Sequence, residues 1–290
     1  MASMSDIRRS IRSIESTGQI TKAMKMVASA KLRRAQSVVI AARPYAGKIR
    51  EVLGNLSEKG CSSHPLQEKR EEVKNVLYVL VTADAGLCGG FNTNLIKLCE
   101  KTVKKREESC AILAVGKKGR DYFKKRGYQI ADEFVGNGDS PGFVLARTIA
   151  GDVIRMYTEG EYDEVHLIFS RFRSAMSNTP TDLKLLPIEQ EAKVETADAE
   201  EKGISSDYIF EPGEEEVLNV LLPAYVETLI YGALIESKAS ELGSKMTAMS
   251  AATDNANELI QSLTLTLNRA RQAAITTEIT EIVSGAAALE

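Results

Sequence analysis

The sequence predicts a small α/β domain with a largely parallel sheet, placed between two long helices that pair as an antiparallel coiled coil. The helices are indicated by the absence of proline from about residue 5 to 43 and again after Pro223, and by small or apolar residues at alternating spacings of three and four. The domain between them is indicated by apolar, β-type runs that alternate with helical segments.

The C-terminal segment, residues 213–290, carries the clearest helical pattern. Its remaining positions hold Thr, Ser, Asn and Gln instead of dense Glu/Lys pairs, so a helix of this length is poorly suited to stand free in water, and we expect another structure to enclose it. Heptad spacing, typical of a helix wound against a partner, runs through Ala239, Leu242, Met246, Met249, Thr253, Ala256, Ile260, Leu263, Leu267, Ala270 and Ala274.

The N-terminal segment, residues 1–57, supplies the partner helix, with Ser5 as its cap and an end near Leu56. We expect its apolar stripe to shift phase near Gly18 and to consist of Ile7, Ile11, Ile14, Ile20, Met24 and Val27. The alternative is that both long helices fold back into an ordinary core. Neither stripe is as wide as a core-facing helix needs, which favours the coiled coil.

The central region, residues 58–212, predicts the α/β domain. Strands are expected over 76–82, 111–115, 129–135 and 165–169, and helices over 94–106, 117–126 and 143–157. Residues 176–187 are expected to be extended. Residues 189–206 are acidic and nearly free of large apolar side chains, which predicts a flexible surface loop.

Charge is distributed unevenly along the chain. Residues 1–50 contain eleven Lys and Arg against two acidic residues, although the whole chain has a net charge of −3. A basic arm on an acidic body implies an acidic partner, either a nucleic acid or an acidic protein surface.

Composition argues against a metal, a disulfide framework or a membrane span. The four cysteines form no C-x-x-C pair, which predicts reduced thiols, and His64 and His166 are too isolated for a ligand cluster, with His166 expected in the core of a strand. The sequence shows no apolar run of membrane-spanning length, and its N-terminus is too polar for a signal peptide, so membrane association is expected only through partners.

One glycine-rich loop follows the first strand, at a position where a phosphate-binding loop would lie. Gly86, Gly89 and Gly90 occur in neither a G-x-G-x-x-G nor a G-K-[ST] motif, so a tight turn that needs positive φ is the favoured interpretation. With no Ser/His/Asp set or catalytic carboxylate pair, we expect no catalytic residue and no cofactor.

Sharper candidates lie on the two long helices. Met24 and Lys25 combine a flexible thioether with a cation, which suits a contact that re-forms, although Met24 and Met26, taken alone, would more often be core residues. Near the C-terminus, polar groups that could bind a partner or simply form a solvated face are Arg269, Arg271, Gln272, Thr276 and Glu278.

Four segments and one short motif resemble the gamma subunit of the F-type ATP synthase, of the bacterial type, nearly from end to end. They are ITKAMKMVASAKLRRAQ, LVTADAGLCGGFNTNLIK, MSAATDNANELI, NRARQAAITTEITEIVSGAAA and DYIFEP. The resemblance implies a non-catalytic rotor shaft inside a ring of alpha and beta subunits. It also implies an α/β domain below, against the epsilon subunit and the membrane rotor ring (c-ring), and it implies no nucleic-acid partner.

The resemblance also implies contact residues. Met24 and Lys25 correspond to positions that face the acidic lever segment of beta, and Tyr208 and Glu211 to positions at the foot, facing the polar loops of the rotor ring. Contacts with ring loops higher up are implied for Arg271, Gln272, Thr276 and Glu278.

Two departures from other branches of the family bear on location and regulation. No cysteine-bearing insert of the chloroplast type lies between Pro187 and Tyr208, which makes thiol switching doubtful, and no organellar presequence precedes Met1. The implied location is peripheral, on the cytoplasmic side of the cell inner membrane. Two other classes stay open: a coiled-coil protein that binds nucleic acid through its basic arm, and a small α/β enzyme built on the glycine loop.

Overall fold

The computed structural model describes residues 4–58, 64–70, 72–136, 138, 141–188 and 213–287. Its elements, in chain order, are α1 (Met4–Glu58), β1 (Asn75–Val81), α2 (Phe91–Lys104), β2 (Ser109–Val115), α3 (Lys117–Lys125), β3 (Gln129–Phe134), α4 (Phe143–Thr158), β4 (Glu164–Phe172), β5 (Asn178–Leu186) and α5 (Glu214–Ala287). Each expected strand and helix of the central region is present, and α1 ends two residues beyond the expected Leu56. The expected acidic loop over 189–206 lies outside the described residues.

The central region forms a five-stranded sheet with the strand order β3-β2-β1-β4-β5. Its first four strands pair in parallel, as expected, because each is joined to the next by a helix. β5 pairs antiparallel with β4 at the edge of the sheet.

β5 lies in the segment, residues 176–187, that was expected only to be extended. Pro180 lies inside it and can donate no ladder hydrogen bond, which makes this segment unlike a central strand. The edge position explains why the strand still forms, since one side of an edge strand needs no partner.

Both faces of the sheet are covered, so β1 is apolar at nearly every position. Leu77 and Val79 pack into a cluster with residues of α4 and α5, whereas Tyr78 and Leu80 pack into a second cluster with residues of α2 and α3. A continuous apolar run is the expected sequence of such a strand.

The chain divides into two compact units. The larger comprises residues 31–244 and contains the sheet, and the smaller comprises residues 1–30 and 245–290. In the smaller unit, the described parts of α1 and α5 pair with each other, with hydrogen bonds between side chains of the two helices.

The seam of α1 corrects one expectation. It continues without a phase shift through Gly18, Thr21 and Ala28, while Ile20 and Val27 are 58% and 54% exposed. The heptad spacing of three and four residues is therefore kept by small residues, which let the two helices approach closely. Ile20 and Val27 point away from the seam.

The expected seam of α5 is confirmed. Among described residues beyond Ala256, every position that is not exposed belongs to it, namely Ile260, Leu263, Leu267, Ala270 and Ala274. Ala239 and Leu242, in the larger unit, are buried as expected.

One expectation about hydropathy is not met. By length and composition alone, α5 contains a window apolar enough to cross a membrane, although less than half of that window is buried in the protein. Leu222, Val226 and Ile230 of the same helix are fully buried beneath the sheet, so the apolar character of α5 also suits core packing.

Candidate partner-binding site

The helix pair of the smaller unit positions the first group of candidate residues. A Cβ placed on Gly18 would lie 3.5 Å from the Cβ of Ala256, and the hydroxyls of Thr21 and Thr253 are 2.8 Å apart. Small and hydrogen-bonded residues thus hold the two backbones close together at this level. The register is antiparallel, because positions further along α1 meet positions earlier in α5.

Met24 and Lys25 lie one turn further along α1. Met24 is half-buried beside the seam, whereas Lys25 is exposed and its Nζ donates a hydrogen bond of 3.0 Å to the Oγ of Ser250. The hydrogen bond restricts where the ammonium points without removing it from solvent. Met24 therefore belongs partly to the helix pair, and Lys25 presents a charge that a partner could reach.

Further exposed cations lie toward the start of α1. Arg8, Arg9 and Arg12 are exposed and form no ion pair with any described residue. A helix pair with such a surface attracts a partner of opposite charge.

The second group lies near the end of α5. Its members are all exposed, namely Arg271, Gln272, Thr276 and Glu278. The two charged ones, Arg271 and Glu278, form no ion pair within the described part of the chain. The Thr276 hydroxyl donates to the carbonyl of Gln272 at 2.9 Å, so its proton is used within the helix while its lone pairs stay available.

The two groups are distinct zones of one helix pair. Lys25 meets Ser250, which precedes Arg271 by 21 residues along α5, or about 32 Å at 1.5 Å per residue. A single small partner could not contact both zones, whereas a tall enclosing structure could.

The third group, Tyr208 and Glu211, lies outside the described residues.

The polar side chains of the glycine-rich loop form hydrogen bonds that hold the fold together. Asn92 Oδ1 accepts the amide of Ala83 at 2.9 Å, and the Asp84 carboxylate accepts the amides of Lys117 and Gly136 at 2.8 and 3.1 Å. These contacts tie the ends of β1, β2 and β3 together. An acidic side chain that already occupies the amides leaves little to attract a phosphate.

Backbone conformation in this loop partly corrects the expectation about glycine. Of the three expected glycines, Gly89 has a positive φ, of 57°, and the other positive φ of the loop, 62°, belongs to Leu87. Gly90 has φ −82° and directly precedes α2. The tight turn is present, but Gly86 and Gly90 do not have the positive φ that would require glycine.

A charged cluster at the start of β4 was not foreseen. Glu164 accepts hydrogen bonds from Arg106 and Lys184, each at 2.9 Å, and His166 contacts Arg106 at 3.0 Å and Asp182 at 2.9 Å. Because a guanidinium only donates, His166 Nε2 must accept from Arg106, and the Nδ1–H group of His166 donates a hydrogen bond to Asp182. His166 is thus buried in a strand, as expected, but with polar partners.

Opposing influences set the acidity of Glu164. Burial alone would raise its pKa, but the hydrogen bonds from Lys184 and Arg106, together with their positive charges, outweigh burial and lower the pKa below its ordinary value of 4.5. The carboxylate is therefore ionised at neutral pH and holds two strands and the end of α2 together. Its partners are distant in sequence, which is why no local motif revealed them.

No group of three or more His, Cys, Asp or Glu side chains that could hold a metal is found within the described ranges. Cys88, Cys99 and Cys110 form no disulfide within the described part of the chain. Burial raises the pKa of Cys99 and Cys110, so these thiols are poor nucleophiles at neutral pH.

Comparison with known proteins decides the family. A family model described as ATP synthase matches residues 3–289. The chain is 53% identical to the ATP synthase gamma chain of Desulfitobacterium hafniense and 55% identical to that of Desulforamulus reducens, with 100% of each chain covered in both cases. The chain belongs to the ATP synthase gamma-chain family. Gamma chains are non-catalytic rotor subunits of the F-type ATP synthase, and membership gives this chain that role.

Solved structures agree with the fold of a gamma chain. A chain from the central stalk and c-ring of the Tetrahymena thermophila mitochondrial ATP synthase is 26% identical, with a TM-score of 0.61 and coverage of 80% of this chain and 99% of that one. A chain from the Euglena gracilis mitochondrial ATP synthase, in an OSCP/F1/c-ring structure, has a TM-score of 0.69 at 21% identity, with coverage of 99% and 94%. The latter likeness concerns the fold alone.

Proposed function

We propose that this chain couples proton flow through a membrane rotor ring to conformational change in a ring of alpha and beta subunits, where ATP is made or hydrolysed. The observation that carries the proposal is a row of exposed apolar side chains at the end of α5. The chain itself supplies no cover for it among the described residues.

The register of the helix pair shows where that end begins. Thr21 meets Thr253, so Met4, the first described residue of α1, is level with about residue 270. α5 continues to Ala287, and beyond residue 274 its exposed apolar side chains are Ile275, Ile279, Ile282 and Val283, with exposed fractions of 48, 56, 71 and 61%. A row of exposed isoleucines on a single helix marks a surface that a partner covers.

The proposal assigns two contact zones to the helix pair. We assign Met24 and Lys25 to contact with the acidic lever segment of beta, since Lys25 is exposed on a helix whose Arg8, Arg9 and Arg12 form no ion pair with any described residue. Contact with loops higher in the alpha/beta ring is assigned to Arg271, Gln272, Thr276 and Glu278, which are exposed about 32 Å further along the pair.

The foot of the rotor completes the proposal. Tyr208 and Glu211 are assigned to contact with the epsilon subunit and the c-ring. In this division residues 1–57 and 213–290 form the shaft, and residues 58–212 form the α/β domain. The chain is then peripheral to the cell inner membrane, on its cytoplasmic side, and is held there by its partners.

Coupling works through the asymmetry of the helix pair. Each catalytic subunit of the ring meets a different side of the pair at a given angle, with a different set of charges. A rotor that binds one conformation of a subunit better than another shifts the population toward that conformation, so rotation changes nucleotide affinity in turn. The chemistry stays in the ring, and this chain supplies a conformational step.

The test combines co-purification with cross-linking. A chain with an affinity tag is purified from membranes of its source, and we expect alpha, beta and epsilon subunits to co-purify. Carbodiimide, which joins an ammonium directly to a carboxylate, should then link Lys25 to an acidic segment of beta, and Lys25→Gln should remove that link. Recovery of the tagged chain without ring subunits would contradict the proposal, and a Lys25 link to another subunit would contradict the assigned contact.

A further inference from the structure

A cavity of about 200 Å³ lies among α1, the start of α4 and α5, within the larger unit. Its wall is formed by Val39, Ala42, Arg43, Tyr45, Ala46, Phe143, Thr228, Tyr231, Gly232, Ile235 and Glu236. None of these residues belongs to the proposed contact zones. The volume suits a small organic molecule or a few waters and is too small for a nucleotide.

Gly232 keeps part of this cavity open. It lies inside α5, and a Cβ placed on it would meet no atom within 4 Å. Glycine within a helix lowers helix stability relative to alanine. The open space beside Gly232 therefore coincides with a residue that helix formation alone would not favour.

The body of the cavity is apolar and aromatic. Val39 and Ile235 are buried in its wall, and the rings of Phe143 and Tyr231 form an edge-to-face pair with centroids 5.5 Å apart. Phe143 is nevertheless 45% exposed and Tyr45 58% exposed. Exposed aromatic rings beside an apolar cavity favour an apolar or aromatic occupant.

Two opposite charges in the wall are not paired with each other. One carboxylate oxygen of Glu236 accepts the amide of Phe172 at 3.1 Å, and the other has no partner among the described residues. Arg43 likewise forms no ion pair or hydrogen bond within the described part of the chain. An apolar cavity with a separate cation and anion is complementary to a ligand that carries both charges.

We propose that this cavity binds a small zwitterion with one large apolar group, the chemical class of the large apolar α-amino acids. The ligand ammonium is bound by the free oxygen of Glu236, and the ligand carboxylate by the guanidinium of Arg43. The apolar side chain packs between Ile235 and the rings of Phe143 and Tyr231. The site is independent of the rotor contacts described above.

The experiment uses four probes with the purified full-length chain, and binding is measured by ligand-detected NMR. L-phenylalanine carries both charges and an apolar group, whereas phenethylamine lacks the carboxylate, 3-phenylpropionate lacks the ammonium, and glycine lacks the apolar group. For a ligand of this size we expect a dissociation constant on the order of 1 mM for L-phenylalanine. Each of the other three should bind at least about tenfold more weakly, since each loses one of the three interactions.

Variants distinguish this cavity from other surfaces. Gly232→Leu fills the open space with a good helix former and should abolish binding of L-phenylalanine. Arg43→Gln should weaken L-phenylalanine about tenfold but leave phenethylamine unchanged, and Glu236→Gln should weaken L-phenylalanine but leave 3-phenylpropionate unchanged. Arg34→Gln, an exposed α1 cation outside the cavity wall, is the control and should change nothing.

Several results would overturn the proposal. One is the absence of L-phenylalanine binding at ten times the expected constant. A second is full binding to a folded Gly232→Leu chain, and a third is equal affinity of the parent chain for L-phenylalanine and phenethylamine. Loss of L-phenylalanine binding when the chain is assembled with its partners would assign the cavity to a side chain of another protein, and would also overturn the proposal.

Discussion

The hydroxyl groups of Thr21 and Thr253 lie 2.8 Å apart, on the two helices of the smaller unit, and each also bonds to a carbonyl of its own helix. Thr21 bonds to Gly18 and Thr253 to Met249. One hydroxyl donates across the pair, and the other donates to its own backbone. This polar link lies next to the close approach of Gly18 and Ala256, so it fixes the register at a level of the seam that has little apolar bulk to do so.

The first prediction concerns this link. Thr253→Val keeps the shape of the side chain and leaves the Thr21 proton bonded to Gly18, so the loss is one hydrogen bond, about 1 kcal/mol. Thr21→Val should cost about the same, because the Thr253 proton then stays bonded to Met249. The double variant should cost more than either single one, because it removes both hydroxyl protons and therefore both bonds. Hydrogen exchange of peptides covering residues 245–260 measures the local opening free energy.

Thr266→Val is the matched control, because Thr266 is exposed and its hydroxyl bonds only to Ser262 of its own helix. It should leave exchange unchanged. A cost of Thr266→Val equal to that of Thr253→Val would show that the loss comes from the intrahelical bond and not from the bond across the helix pair.

A second prediction concerns Met24→Lys. Met24 is half-buried, and a lysine there can extend its ammonium to solvent, so the helix pair should survive. The new cation, beside Lys22 and Lys25, would form an extra ion pair with the assigned acidic lever at one rotor angle. An exposed ion pair of about 1 kcal/mol would slow departure from that angle about fivefold.

We therefore expect assembled Met24→Lys complexes that hydrolyse ATP but pump fewer protons per ATP, measured in inverted membrane vesicles. Met26→Lys adds the same charge two residues further on, at a position that is 60% exposed, and serves as the control. Equal loss of coupling in both variants would point to a general effect of charge and not to a contact made at residue 24.

Sequence patterns predicted the fold well wherever one physical rule governs a whole element. The buried run of β1 and the heptads of α5 are examples, since burial on both faces and pairing with one helix each leave a regular pattern. The seam of α1 was misjudged near Gly18 because close approach selects small residues, which an apolar stripe does not reveal. The ring contacts of Arg271 and its neighbours remain predictions, since only a partner chain can test them.

Other features depend on distant parts of the chain, and no local pattern encodes them. Arg106 and Glu164 are 58 residues apart, and only the parallel pairing of β1 with β4 brings them together. β5 forms because β4 offers it an edge, although Pro180 weakens its own strand signal.

The third prediction is a pH dependence of stability that comes from Glu164. Its pKa is lowered in the folded chain, so the unfolded state binds more protons as pH falls, and the stabilisation present at neutral pH is lost below about pH 4.5. Glu164→Gln should cost about 2 kcal/mol at pH 7, since two charge-assisted hydrogen bonds are weakened. That cost should shrink as pH falls below 4.5, because protonation of this carboxyl in the unfolded parent chain then favours unfolding, until the folded carboxyl is protonated as well.

Urea unfolding of the full chain at pH 7 and pH 4 measures this difference. Glu159→Gln is the control, an exposed carboxyl whose bond to Arg155 is longer, at 3.4 Å. A cost of Glu164→Gln that is the same at both pH values would show that the side chain contributes through packing and not through its charge.

The last prediction concerns Arg271, in the upper zone of α5. Its side chain is exposed and makes no ion pair or hydrogen bond with any described residue, so Arg271→Ala should not weaken the helix pair, and alanine is the best helix former. If Arg271 donates a charge-assisted hydrogen bond to a ring loop at one rotor angle, its loss removes about 1.5–3 kcal/mol from the angular energy profile. We therefore expect normal assembly and a fall in ATP turnover at saturating substrate of about tenfold.

Arg269→Ala is the matched control, since Arg269 is also exposed but lies two residues earlier, about 200° around the helix. Turnover at the parent rate in assembled Arg271→Ala complexes would exclude the contact, and an equal fall in both variants would assign the effect to the total charge of the zone.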